Sequence, residues 1–513
     1  MDKEFKSEHI KTESNSLGLI KTIIIILLIA IQITGFVLLR LYLTKVLNWF
    51  VLVSLILTFI ACIHVLSSDF SGQSKAMWVL FLLTCFSFGY IFYIFSNKKI
   101  VFRRSYKKYK AIFERSEKLQ KQIDTNLIED QEFKNQCDYL YKVGKFESSL
   151  NSKTTYYSSG VELFDEIVNE LQKAKKFILL EYYIISDGLL FNRIFNVLKQ
   201  KAQEGVEVRI IYDDIGSKRT LSNKTKKKIK RAGIKLHAFN RLIPIFNIAL
   251  NFRNHRKIVV VDGEVAFTGG ANIADEYINE KQLHGYWKDC GIKIEGQAVD
   301  NFTISMLNQW EFISKKEIDY KPYLYKSKEY YNNGVVVPFV TGPHYKFSVA
   351  QNIYSNEIAN AREKIFIMTP YFIPDETVIN LLKQKALSGV DIRIIIPDIA
   401  DKKFVYTVTR NNAEKLIPFG VKIYTMTNSF VHSKIILTEN SAIVGSINMD
   451  LRSFNQQFES AVITNENSTM GAVARDFDTT FSLSKELTEK DLKRNRLRFR
   501  IHAGIFNLIS PFM

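Results

Sequence analysis

The sequence has few cysteines and lacks the cysteine spacings that bind metals. Its 513 residues contain four, Cys62, Cys85, Cys137 and Cys290, and none forms a CxxC motif. The first two lie inside apolar runs. This scatter excludes a disulfide framework and a zinc site.

The chain is also short of acidic residues. It has 52 Asp and Glu against 70 Lys and Arg, a formal net charge of +18. Such a surplus favours anionic partners, and nucleic acid and anionic lipid surfaces are the two main candidates. The length indicates two or three domains, and the apolar segments described next favour lipid.

No small-residue cleavage site follows the first long apolar run, which argues against a signal peptide. After a polar tail, residues 1–21, the apolar runs cover residues 22–39, 46–66 and 76–95. Each approaches the ~20 residues that a helix needs to cross the hydrocarbon core. We therefore predict transmembrane helices within residues 22–97.

The basic residues that follow the third run predict the orientation of these helices. Seven Lys and Arg side chains lie between residues 98 and 110, so this side is expected to be cytoplasmic. Residues 98–150 have mixed charge and helical spacing of apolar residues, and we interpret them as a basic helical connector.

The rest of the chain repeats itself. An apolar strand at 177–184 matches 365–373, and a second at 205–214 matches 389–398, with an amphipathic stretch between the members of each pair. This order predicts an α/β fold with a largely parallel sheet covered by helices. We expect two pseudo-symmetric halves, residues 151–313 and 336–485. A linker at 314–335 joins them, and the basic, apolar tail at 486–513 is either a packing helix or a membrane-surface segment.

Each half contains a histidine two residues before a lysine that opens an apolar strand. These pairs are His255 with Lys257 and His432 with Lys434. Because residues i and i+2 of a strand project to one face, each imidazole shares a surface with an ammonium group. A single pair is usually a solvated strand edge, but the repetition favours a functional site.

A turn of small residues and an asparagine follows each histidine strand, containing Gly270 and Asn272 in one half and Ser446 and Asn448 in the other. Such turns let backbone amides approach an anion. If the two halves meet, the lysines would neutralise phosphoryl oxygens, one histidine would attack phosphorus and the other would protonate the leaving alkoxide.

With these motifs the chain resembles the phospholipase D superfamily, defined by two H-x-K-x4-D motifs, and within it the bacterial cardiolipin synthases. The resemblance covers roughly residues 75–513 and rests on segments 251–257, 268–273, 287–289, 295–296, 369–374 and 445–459. It implies a duplicated phospholipase D-like body on a multi-pass anchor in the bacterial cell membrane, with a cytoplasmic catalytic domain. It adds Asp262 and Glu439 to the catalytic residues.

The resemblance also implies the reaction. A phosphatidyl group would pass from one phosphatidylglycerol to another, giving cardiolipin and glycerol through a phosphohistidine, with no metal or other cofactor. His255 would be the nucleophile and His432 the general acid and base. Glu439 stands where the superfamily has Asp, which puts the strength of the second motif in question. Glu459 is expected to bind substrate or to hydrogen-bond a histidine ring nitrogen.

Three other functions compete with this one. The first is a membrane-bound phospholipase D-type hydrolase, in which water replaces the acceptor alcohol. The second is a nuclease that uses the basic run at 218–235, but that run lacks the interleaved aromatic residues of a stacking platform. It better suits contact with anionic membrane lipids, so no nucleic-acid partner is expected. The third is a non-catalytic scaffold with a decayed second motif.

Overall fold

A computed structural model describes most of the chain. The described residues are 29–38, 44–68, 72–86, 88–96, 103–120, 125–241, 252–326, 334–345 and 347–488, with a few single positions besides. They fall into two compact units, residues 1–100 and 101–513. The predicted 1–21 tail, the apolar run at 242–250 and most of the 486–513 tail lie outside the described residues.

The described elements of the N-terminal unit are all helical. They are α1 (Ile29–Leu38), α2 (Thr44–Leu66), α3 (Gly72–Thr84) and α4 (Gly89–Ser96). One described helix is long and apolar enough to cross a membrane, at Asn48–Leu66. Its large side chains are exposed, for example Trp49 at 71% and Phe59 at 67%. An unpartnered apolar surface of this kind suits lipid.

The prediction of a continuous third span at 76–95 was wrong. The chain turns after Thr84, and α4 packs back on α3, with the rings of Trp78 and Tyr93 5.1 Å apart. A Cβ atom at Gly89 would lie 3.3 Å from the Leu82 backbone. Helices of 13 and 8 residues are each too short to cross ~30 Å of hydrocarbon. Of the first predicted span, only α1 is described at any length.

The second unit begins with two helices and then forms the first half. The helices are α5 (Arg103–Ser116) and α6 (Gln131–Gly144). The strands are β1 (Ser152–Tyr157), β2 (Phe177–Tyr182), β3 (Glu207–Asp213), β4 (Lys235–Phe239), β5 (Lys257–Val261), β6 (Val265–Gly269), β7 (Tyr286–Lys288) and β8 (Gly291–Gly296). The helices are α7 (Gly160–Lys173), α8 (Leu189–Gln203), α9 (Asn223–Arg231) and α10 (Val299–Ser314). The 3₁₀ turns of the second unit are Glu117–Leu119, Thr125–Leu127, Asp275–Ile278, Lys321–Tyr323 and Ile417–Phe419.

The second half repeats the main order of elements, with its short strand placed before the histidine strand and an added final strand. Its strands are β9 (Val336–Thr341), β10 (Lys364–Met368), β11 (Asp391–Pro397), β12 (Lys422–Met426), β13 (Ser429–Val431), β14 (Ile435–Thr438), β15 (Ala442–Gly445), β16 (Glu459–Thr464) and β17 (Ser484–Leu487). Its helices are α11 (Val349–Asn360), α12 (Glu376–Leu387), α13 (Lys403–Glu414), α14 (Leu451–Asn455) and α15 (Asn467–Ser482).

The two sheets confirm the duplicated α/β fold. The described strands of one lie in the order β1-β8-β6-β5-β2-β3-β4, and those of the other in the order β9-β16-β15-β14-β10-β11-β12-β17. The expectation of a largely parallel sheet was wrong, because among the described strands of these two sheets only β2, β3 and β4 and their counterparts β10, β11 and β12 pair in parallel.

The histidine strand β5 pairs antiparallel with both of its neighbours, β2 and β6. A tight hairpin joins it to β6. Asp262 and Gly263, the central residues of that turn, have φ of 55° and 71°. Positive φ at both positions is typical of a two-residue β-turn that reverses a strand.

The halves share one hydrophobic core. A single cluster contains Ile258 and Phe302 of the first half together with Phe339 and Ile436 of the second. The helix α10 is buried nearly all round and packs on β4, β5 and β9. A short parallel sheet of β7 and β13 also joins the halves, so the ends of both histidine strands lie at the same interface.

Candidate active site

Two buried carboxylates at the ends of parallel strands hold the segment that carries His255. Asp213, the last residue of β3, accepts the backbone N–H of Asn254 at 2.9 Å and pairs with Arg253 at 3.2 Å. Glu181, near the end of β2, accepts a hydrogen bond from the Asn254 side chain. Sites of parallel sheets lie at this edge, and here the strand ends fix the backbone next to the imidazole.

His255 is bonded to the opposite half at two points. Its backbone N–H donates to Phe458 O at 2.8 Å, and its ring nitrogen Nδ1 lies 2.9 Å from Oε2 of Glu459. Glu459 is fully buried at the start of β16. The expected contact between Glu459 and a histidine ring nitrogen is therefore present.

His432 has the same two bonds in the reverse direction. Its backbone N–H donates to Lys288 O at 2.7 Å, and its Nδ1 lies 2.7 Å from Oδ2 of Asp289 in the first half. Asp289 lies two residues before the start of β8, the counterpart of β16. Each half therefore supplies the carboxylate that orients the other half's histidine.

Both histidines line one cavity of about 410 Å³, within the range of small-molecule sites. Nε2 of neither ring forms a hydrogen bond to any residue that the structure describes. The wall combines aromatic, polar and charged side chains, namely Tyr183, Ile184, Asn272, Glu276, Tyr277, Leu283, His284, Trp287, Tyr371, Ile373, Asp401, Lys402, Val405, Phe430, Asn448, Asp450, Arg452 and Gln457.

Burial sets the protonation of the site. Desolvation lowers the pKa of both imidazoles well below the usual range, and the nearby lysine charges lower it further. Desolvation raises the pKa of Asp289 to about 6 and that of Glu459 to about 8. A neutral imidazole that donates Nδ1–H to its carboxylate keeps Nε2 free as a nucleophile or base.

Lys257 and Lys434 are almost fully buried and do not line the cavity. Each donates from Nζ to the backbone carbonyl of the histidine two residues before it. Burial lowers the pKa of both lysines, that of Lys434 to about 8. Two desolvated cations beside an anion-sized cavity favour a bound phosphate, because its charge would offset theirs.

The structure does not bring Asp262 and Glu439 to the cavity. Asp262 lies beyond the far end of β5 and accepts the backbone N–H groups of Lys175, Lys176 and Phe177 at 2.7–2.8 Å. Glu439 accepts those of Arg362 and Lys364 at 2.5 and 3.2 Å. Both acids anchor the start of the neighbouring strand, so the longer glutamate performs the same task as the aspartate.

The small-residue turns also differ from the expectation. The backbone N–H groups of Gly270 and Ser446 are used by the sheets, donating to Cys290 O at 3.1 Å and Ser460 O at 2.8 Å. Instead, the turns pack on the carboxylates. A Cβ atom at Gly270 would lie 2.1 Å from Oδ1 of Asp289, and the Ser446 hydroxyl donates to Glu459 at 2.5 Å.

Sequence reasoning missed Asp289 as the partner of His432. The available signal was symmetry, because β8 and β16 are counterparts and a carboxylate had been proposed only at the start of β16. Within the described part of the chain, no group of three or more His, Cys, Asp or Glu side chains could hold a metal ion.

Comparison with known proteins identifies the family. Residues 167–283 and 354–481 match the family profile described as cardiolipin synthase, PLD-like domain. The chain is 33% identical over 474 residues to the cardiolipin synthase of Geobacillus kaustophilus, which covers 90% of this chain and 93% of that protein. The chain belongs to the cardiolipin synthase family.

Further similarities agree with this assignment. Cardiolipin synthase 2 of Bacillus cereus is 36% identical over 375 residues, 72% of this chain and 73% of that protein. The crystal structure of phosphatidylserine synthase from Haemophilus influenzae has the same fold, with a TM-score of 0.58 at 14% identity, and the match covers 74% of this chain and 99% of that one. The resemblance drawn from the motifs is confirmed, together with the phosphatidyltransferase class that it implied.

Proposed function

We propose that this cardiolipin synthase family member transfers a phosphatidyl group from one phosphatidylglycerol to the hydroxyl of another. The observation that carries the proposal is the paired arrangement of His255 and His432. Both rings border one cavity, each is held at Nδ1 by a buried carboxylate, and each has Nε2 available. A nucleophile and a separate acid–base group are what phosphoryl exchange between two alcohols needs.

In the first step, Nε2 of His255 attacks phosphorus and forms a phosphoramidate bond. His432, which begins the cycle as the imidazolium, delivers its Nε2 proton to the departing glycerol oxygen and becomes neutral. In the second step, His432 takes the proton from the incoming hydroxyl, whose oxygen bonds phosphorus as the bond to His255 breaks. Asp289 stabilises the imidazolium that His432 forms again in this second step, and the two buried lysines offset the phosphoryl charge.

The basic surface of the first half supports an anionic lipid partner. The helix α9 carries Lys224, Lys226, Lys227, Lys228, Lys230 and Arg231, and only Ile229 of this helix is buried. Basic residues near an anionic leaflet contribute ~1 kcal/mol each. We expect binding to phosphatidylglycerol vesicles to weaken as salt is raised, which a vesicle sedimentation assay measures.

In this proposal α2 anchors the protein in the membrane, and the basic residues at 98–110 keep the catalytic body on the cytoplasmic side. The multi-pass arrangement inferred from the sequence needs a second crossing, for which the run containing α1 is the candidate. Labelling of single cysteines placed before α1, between α1 and α2, and after α2, from each side of sealed vesicles, tests both statements.

The decisive experiment uses the purified full-length chain with phosphatidylglycerol in mixed micelles. The proposal expects cardiolipin and glycerol in equal amounts, and no product from His255→Ala. Phosphatidic acid and glycerol without cardiolipin would instead identify a hydrolase. Expression in cells that lack cardiolipin, with the same variant as control, repeats the test in a membrane.

A further inference from the structure

The two turn asparagines occupy equivalent positions but make different hydrogen bonds. In the first half, Asn272 Oδ1 accepts the backbone N–H of Ile184 at 3.1 Å, and Nδ2 donates to the Tyr277 hydroxyl at 2.6 Å. Both ends of this side chain are bonded within its own half. Asn272 therefore links the turn to the segment that follows β2.

In the second half the equivalent bond is absent. The strand registers align Tyr371 with Ile184, and Asn448 makes no hydrogen bond to the Tyr371 backbone. Asn448 Oδ1 is buried and has no hydrogen-bond partner within the described chain, although Asn448 lines the cavity.

The orientation of Asn448 follows from its neighbour Asp450. The Asp450 carboxylate lies beside the Asn448 side chain and interacts with it, and Asp450 caps α14 by accepting the backbone N–H of Ser453 at 2.7 Å. Because an ionised carboxylate only accepts hydrogen bonds, the amide nitrogen of Asn448 must face it. The carbonyl oxygen is thus the end left for a ligand.

Two donors on the same cavity wall also lack partners. Nε of Arg452 and Nε1 of Trp287 are buried and unbonded among the described residues. A ligand that satisfies all three groups must both donate and accept hydrogen bonds. A phosphodiester oxygen carries no hydrogen and cannot bond Asn448 Oδ1, whereas an alcohol hydroxyl can. A ligand that leaves this buried acceptor unpaired binds less favourably, so the position should select an alcohol hydroxyl over a phosphodiester oxygen.

We propose that Asn448 marks the subsite for the acceptor alcohol and that its carbonyl oxygen accepts a hydrogen bond from a glycerol head group. This inference rests on the proposed phosphatidyl transfer. Of the two hydroxyls of that head group, one donates to Asn448. The other loses its proton to His432 Nε2 and forms the new bond to phosphorus as the bond from phosphorus to His255 breaks.

A monohydroxyl alcohol distinguishes this subsite from the phosphoryl site. Ethanol can attack the phosphoenzyme but has no second hydroxyl to donate to Asn448. The subsite should therefore change how the phosphoenzyme partitions between phosphatidylglycerol and ethanol as acceptors. That ratio does not depend on how much active enzyme a preparation contains.

The test is a competition in which full-length enzyme receives phosphatidylglycerol micelles and ethanol, and cardiolipin and phosphatidylethanol are both quantified. Asn448→Leu should lower the ratio of cardiolipin to phosphatidylethanol about tenfold, the effect of one buried hydrogen bond. An unchanged ratio, including one in which both products fall equally, would overturn the subsite. Absence of both products from the unmodified enzyme would refute the proposed function itself.

Discussion

The exchange of carboxylates between the halves predicts that Asp289 and Glu459 support different steps. In the variant Asp289→Asn, the side-chain oxygen should keep the position that accepts the backbone N–H of Cys290 at 2.9 Å. The new amide nitrogen then faces Nδ1 of His432, from which the carboxylate of the unmodified enzyme accepts a hydrogen bond at 2.7 Å. The imidazole is forced into the tautomer with its proton on Nε2 and cannot act as a base there.

The size of the effect follows from this bond. A hydrogen bond to a charged group contributes about 2 kcal/mol, or roughly 30-fold in rate. The wrong tautomer adds to this loss, so turnover of phosphatidylglycerol should fall at least about 100-fold. Glu459→Gln acts on His255, which we assign as the nucleophile, and should slow every reaction that begins with attack on phosphorus.

A substrate with a p-nitrophenyl leaving group separates the two roles, because p-nitrophenolate departs without a proton. Rapid mixing should show a burst of p-nitrophenolate in Asp289→Asn close to that of the unmodified enzyme, and a slow burst in Glu459→Gln. Asp275→Asn is a control, since its carboxylate bonds the backbone N–H groups of Leu189 and Leu190 and not a histidine. A burst that is slow in Asp289→Asn and normal in Glu459→Gln would reverse the assignment.

The remaining predictions concern pH and three further positions. The rate of phosphatidyl transfer should rise from pH about 6 upward, because the two buried carboxylates then ionise. It should reach a narrow maximum near pH 8 and then fall as Lys434, with its pKa lowered to about 8, loses its proton. A flat profile between pH 6 and 9 would contradict this. Glu439→Gln should change turnover less than about threefold, while His432→Ala should lower it by about three orders of magnitude. Equal losses would show that Glu439 takes part in the chemistry. Gly270→Ala should lower turnover about 100-fold, because the new methyl group displaces Asp289; a normal rate with an unchanged melting temperature would refute this packing argument.

The repeat and its histidines could be predicted from the sequence, because both are local patterns. The spacing of His255 and Lys257 fixes their common face, and its recurrence at His432 and Lys434 predicts a shared site. The sheet direction could not be read in this way. Order along the chain favoured parallel strands, whereas the histidine strand pairs antiparallel with both of its neighbours.

Contacts between distant segments explain the other differences. Asp289 meets His432 only because the halves share a core, and no local pattern relates the two positions. The third apolar run had the composition of a span, yet packing of α4 on α3 bends it back. In each case tertiary contacts decide what composition and spacing leave open.

Each half supplies a carboxylate, Asp289 or Glu459, to the histidine of the other half, and this limits how such a protein could arise and be divided. A fragment with only one histidine motif would carry an unsupported imidazole and an idle carboxylate, so neither fragment alone should be active. Two separately expressed fragments, cut in the 314–335 linker, should regain activity only when they associate. Duplication of an ancestor that formed a symmetric dimer would yield this arrangement directly. Loss of either copy would then inactivate the other.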